Sequence, residues 1–140
     1  MRRLQGLDAA DKEALKLAVC EISEVVGRRV SIGSLLASWD DFVQSVERGY
    51  DDCVYEYTND LNVRDLLSGL VSKLPRSTSE KLSAIIRPVD DRFVSATLKT
   101  ERPLLSTDSS GWWWFRIPLR RSSQLQKDLE DEGVIPDAGK

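Results

Sequence analysis

Carboxylates are the groups through which this chain could most readily do chemistry. There are 23 Asp and Glu, no histidine and two cysteines. Asp-Asp pairs stand at 40–41, 51–52 and 90–91. Glu21 and Glu24 stand at i, i+3, which puts both on one helix face, where two carboxylates can share a divalent cation. The missing histidine removes a Ser-His-Asp triad, a Cys-His dyad, an imidazole base and every His-ligated zinc site. Cys20 and Cys53 form no CxxC and are too few for structural zinc, so reduced, mostly buried thiols are expected. No Gly-rich phosphate loop, GxSxG or kinase-like set is present.

The second unusual group is Trp112-Trp113-Trp114-Phe115-Arg116-Ile117-Pro118. In an extended segment alternate side chains point to opposite faces. Trp113, Phe115 and Ile117 then share one side, and Trp112, Trp114 and Arg116 the other. One side can lid an apolar core. The other either lies flat on the surface or makes a contact patch, because Trp and Arg dominate binding hot spots. Base stacking on single-stranded nucleic acid is disfavoured by an acidic body with a pI near 5.1.

The Glu21–Glu24 pair resembles the ExxE of the all-helical nucleotide pyrophosphohydrolases. That resemblance implies a magnesium-dependent hydrolase using Glu21, Glu24 and later helical acids. The second half of the family's pattern, ExxD, is missing: Glu47 to Asp51 and Glu56 to Asp60 are both ExxxD. The stretch from Ser38-Trp39-Asp40-Asp41-Phe42 to Asn59-Asp60-Leu61, with the tryptophan segment, is similar to small helical proteins of actinobacterial type. This similarity implies no activity.

Helices must position these groups. With 140 residues, 41% hydrophobic, and 13 Gly and Pro, the chain fits one domain, with a core over about 7–119 and a partly flexible tail over 120–140. No apolar run reaches membrane-helix length, and the N-terminus turns polar at once, so a cytoplasmic protein is expected. Leu15, Ala18, Ile22 and Val25 recur at helical steps, with Asp8 and Asp11 at the start and Gly27 at the end. Leu36, Trp39, Val43, Val46, Tyr50, Cys53 and Tyr57 follow at alternating steps of 3 and 4. This seam predicts one long helix over 31–61, capped by Ser31 or Ser34 and bent at most at Gly49. Asn62 then reads as a cap for a short helix that Pro75 stops. Ser77-Thr78-Ser79-Glu80 reads as a capping box for a helix over 78–98, kinked at Pro88. Loop chemistry follows over 100–111, then the aromatic segment, then a short helix capped by Ser122 with Leu125 and Leu129 inside. Residues 133–140 should fray. The fold class is mainly α, a bundle of about four helices with a C-terminal aromatic extended segment.

The net charge of −3 hides a segregation: residues 40–65 sum to −6 and residues 66–127 to +6. Asp40, Glu47 and Asp51 share a helical stripe beside Asp41, Asp52 and Glu56. Such a stripe is either a solvated or internally paired helix face, or a docking surface for a basic protein, whose approach a single-sign patch accelerates. The functional expectation is a small protein–protein interaction module, an inhibitor of immunity or antitoxin type that occludes a basic partner such as a nuclease or other toxin. Its contact residues are Asp40, Glu47, Asp51, Asp52, Trp112, Trp114 and Arg116. No catalytic residue, cofactor or metal is expected, and no membrane partner. A homo-oligomer and a structural subunit of a bacterial assembly stay open.

Overall fold

A computed structural model describes residues 6–27, 29–104 and 111–135. Parts of the expected polar N-terminus, the 100–111 loop and the frayed end lie outside those residues, as does Arg28. The protein is mainly helical. Helices α1 (Ala9–Val26), α2 (Ile32–Arg48), α3 (Val54–Lys73) and α4 (Arg76–Ser95) pack as a four-helix bundle, and α5 (Ser123–Asp131) adds a short fifth. Strands β1 (Thr97–Lys99) and β2 (Arg116–Pro118) form a small antiparallel ribbon with Leu98 opposite Ile117.

Helix α1 starts as its sequence dictates. Asp8 accepts from the Asp11 amide and Asp11 accepts from the Asp8 amide, a reciprocal cap that satisfies two free N–H groups. Gly27 closes the helix in the left-handed region, with φ of 74°. Leu15, Ala18 and Ile22 are buried, but Val25 is 79% exposed. The buried stripe of α1 therefore ends at Ile22, a turn earlier than the spacing predicts.

The long helix over 31–61 does not form. Ser31 caps α2 as expected, but α2 stops at Arg48. Gly49 takes φ of 116° and ψ of 106°, a conformation that L side chains rarely adopt. Tyr50 is then held extended: its amide donates to the Arg120 carbonyl, and its carbonyl accepts from the Ser122 amide. The chain restarts at Val54, whose amide donates to the Asp128 carboxylate. The seam residues Leu36, Trp39, Val43, Val46, Tyr50 and Tyr57 are all buried nonetheless. Folding the seam back on itself puts Phe42 5.8 Å from Tyr50 and 5.4 Å from Tyr57, ring to ring. A straight helix would have left these rings along one open stripe.

Helix α3 then runs through Asn62, which is exposed and caps nothing, to a stop at Leu74 and Pro75. This helix touches α1, α2, α4 and α5, so its buried residues spread around its circumference rather than along one face. Helix α4 begins two residues earlier than expected, directly after Pro75. The Ser77–Glu80 box is not used: Thr78 donates to Asp11, and Glu80 accepts from Arg76. Pro88 sits on the exposed side of α4, and the helix continues past it to Ser95.

The aromatic segment is not extended throughout. Trp112–Phe115 forms a 3₁₀ turn before β2. A Cβ on Gly111 would collide with the Trp113 ring, so the turn needs glycine there. Ser122 caps α5 through the Leu125 amide. Leu125 and Leu129 are fully buried, so the core extends past the expected limit at 119 and takes in α5.

Candidate functional site

The expected contact residues divide into those the fold consumes and those it leaves outside. Arg92 on α4 reaches across to α2. Its guanidinium donates to Asp40 at 2.8 Å and to Glu47 at 2.7 Å. Glu47 is held below the usual carboxylate range, chiefly by that hydrogen bond, and Arg92 is held above its ordinary value by the same two partners. The acidic stripe of α2 is therefore closed by the protein's own basic half.

Trp114 is 3% exposed, and its indole N–H donates to Asp65 at 2.8 Å. The Trp113 indole donates to the same carboxylate oxygen at 2.7 Å. An extended segment would have sent these neighbours to opposite faces. A 3₁₀ turn sets successive side chains about 120° apart, which lets both indoles reach one acceptor. Trp114 is thus part of the core and not a contact residue. Arg116 is half-buried: its guanidinium donates to Thr97 Oγ1 at 2.7 Å and to the Val94 and Thr97 carbonyls at 3.2 Å. It ties β2 to the end of α4. Trp112, 39% exposed, rests edge-on against Trp113 at 5.5 Å and near Phe93 at 6.0 Å.

Beneath the tryptophans lies a polar pair that periodicity does not reveal. Arg64 binds Asp90 bidentately, with both contacts at 2.9 Å. The Trp39 indole donates to the same Asp90 at 3.0 Å, and the Arg64 guanidinium lies 4.4 Å from the centre of the Trp113 ring. Neither Asp65 nor Asp90 stands in a distinctive motif. The only available signal was an excess of tryptophan N–H donors that must find acceptors once buried.

What remains outside is the corner between α2 and α3. Asp51, Asp52, Glu56 and Asp60 are exposed there. Among the described residues no cation pairs with any of them. Asp60 accepts from the Tyr50 hydroxyl at 2.7 Å. Tyr50 is held well above its ordinary range, first by burial, then by Asp60, with Asp52 and Glu56 contributing through their charge. Asp60 thus holds the Tyr50 hydroxyl directly, and the charges of Asp52 and Glu56 act on it through space. Tyr55, at the first turn of α3, projects from the same corner and is 72% exposed. Backbone bonds pin the corner on its inner side: Tyr50 to 120–122, and Val54 to Asp128.

The other carboxylate pairs are dispersed. Glu21 lies 3.1 Å from Lys73, and Asp90 is taken by Arg64. Among the described residues no group of three or more His, Cys, Asp or Glu is arranged to hold a metal ion, and no helix is long and apolar enough to cross a membrane. Cys20 is exposed and Cys53 half-buried, against the expectation of buried thiols. Comparison with protein families, curated proteins and solved structures finds no match to this chain.

Proposed function

We propose that this protein is a protein–protein interaction module that engages a basic partner through the α2–α3 corner. Its concrete form is a small intracellular inhibitor of immunity type, acting on a basic protein such as a nuclease. The observation that supports this reading is the contrast between two sets of acids in one stretch of chain. Asp40 and Glu47 are neutralised by Arg92, whereas Asp51, Asp52 and Glu56 face solvent beside an exposed tyrosine. Exposed acids on a pinned backbone give direction and speed to an encounter. An exposed tyrosine at their centre supplies the apolar anchor that charges alone lack. Against a nuclease, exposed carboxylates can mimic the phosphates its active site expects.

Affinity capture with two immobilised forms tests the reading. The wild-type chain should retain a basic protein that the Asp51→Lys/Tyr55→Ala/Glu56→Lys form does not. The purified partner should lose its activity when mixed with the wild-type chain. Equal retention on both forms, or a partner whose binding ignores the triple change, rules the corner out.

A further inference from the structure

Helices α1 and α2 follow one another in the chain but barely meet; each packs instead on α3 and α4. Along α1 runs an open groove of about 910 Å³, walled by α1 and the segment that returns from it to the first residue of α2. Its surface is predominantly apolar, with Leu7, Leu15, Val19, Val30 and Ile32 among its walls. The return segment is fixed in place by the Val30 amide, which donates to Ser23 Oγ at 3.1 Å.

The charge along this groove is polarised. Lys12 and Lys16, one helical turn apart, lie on its rim at the start of α1. Neither pairs with a carboxylate among the described residues. Glu24 and Arg29 line the far end and offset each other in sign. Residues 12 and 24 are about 18 Å apart along a helix at 1.5 Å per residue. A long apolar trough with two free ammonium groups at one end matches a ligand with one apolar chain and one anionic head.

We propose that this groove binds a long-chain carboxylate, its head at Lys12 and Lys16 and its chain running along Val19 towards Val30. The size suits it, since small-molecule sites span about 300–1,000 Å³ and are mostly apolar with a few placed polar groups. An acidic amphipathic helix is the competing occupant. It would want cations along its whole length, whereas at the far end the lining cation, Arg29, stands with Glu24 of opposite sign. This site is separate from the α2–α3 corner and does not depend on how that corner is used.

Calorimetric titration of the full chain with decanoate, dodecanoate and tetradecanoate, each below its micelle-forming concentration, tests the proposal. Binding should be saturable with one site. Two added methylenes should tighten it about tenfold, as burial of an alkyl chain requires. Dodecyltrimethylammonium, with the opposite head, should bind at least tenfold more weakly than dodecanoate. Lys12→Glu/Lys16→Glu, both exposed positions, should lose at least tenfold in affinity with an unchanged thermal midpoint, whereas Arg29→Glu should change it less than threefold. Cys20 also lines the groove and is exposed. A bulky maleimide placed there in a Cys53→Ser chain should abolish binding. Absence of saturable heat, affinity independent of chain length, or equal binding of the two head groups overturns the proposal. So does tight binding of an acidic amphipathic peptide by a chain that ignores the carboxylates.

Discussion

Asp65 and Asp90 hold the aromatic half of the core, although in the sequence they are only two of 23 acids. Removing Asp65 would leave two buried indole N–H groups without their acceptor. Asp65→Ala should therefore destabilise by about 2–4 kcal/mol, and Asp65→Asn, which keeps an acceptor oxygen, by about half as much. Urea denaturation followed by tryptophan fluorescence checks both values. Asp11 plays a comparable role between α1 and α4. It caps its own helix and accepts from Thr78 and Lys81. The Lys81 bond, then the Thr78 bond, hold its carboxyl well below the ordinary range. A carboxylate depressed in the folded state stabilises the fold above its unfolded value, near 3.9, and loses that contribution as pH falls through and below it. Wild type should therefore lose stability between about pH 5 and pH 2 more steeply than Asp11→Asn. Parallel acid titrations, read by circular dichroism, should converge at low pH. At this scale the sequence was legible where partners are local, as at Asp8 with Asp11 or Ser122 with Leu125. It was opaque where they lie far away in the chain, as Asp65 does from Trp113.

Periodicity named the buried residues of α2 and the seam but not the break between α2 and α3. The spacing of Val46, Tyr50 and Tyr57 is the same whether the chain runs straight or folds back, since both arrangements bury the same stripe. What decides it is Gly49 and the backbone bonds of Tyr50, which depend on residues 120–122. Gly49→Ala should cost about 1–3 kcal/mol, because alanine at φ of 116° is strained. Gly33→Ala, in open space inside α2, should stabilise by about 0.5–1 kcal/mol. Thermal denaturation of the pair separates the corner from ordinary helix propensity. Val46→Ala should cost about 1–3 kcal/mol, as expected of a fully packed seam. The cap expected at Asn62, at the start of a short helix, is absent for a related reason. A helix surrounded by neighbours carries no single apolar stripe, so its exposed Asn62 looked like a boundary.

Across the whole molecule, the charge segregation seen in the sequence is partly internal bookkeeping and partly surface. Arg92 takes up Asp40 and Glu47 of the expected acidic stripe, and Arg64 takes up Asp90 of α4. Spacing along α2 cannot show what α4 brings across to it, so Asp40 and Glu47 read the same as the acids that stay unpaired among the described residues. The surviving acids at the α2–α3 corner carry the central claim. Association of the purified wild-type chain with its captured basic partner, followed by stopped flow across ionic strengths, tests that claim most directly. Exposed charges are screened over about 8 Å at physiological salt, so the association rate should fall steeply as salt rises. Asp51→Lys/Glu56→Lys should slow association at least tenfold at low salt and remove most of the salt dependence, while leaving stability within about 0.5 kcal/mol of wild type. An association rate that is indifferent to salt, or unchanged by reversing those two charges, would contradict the account.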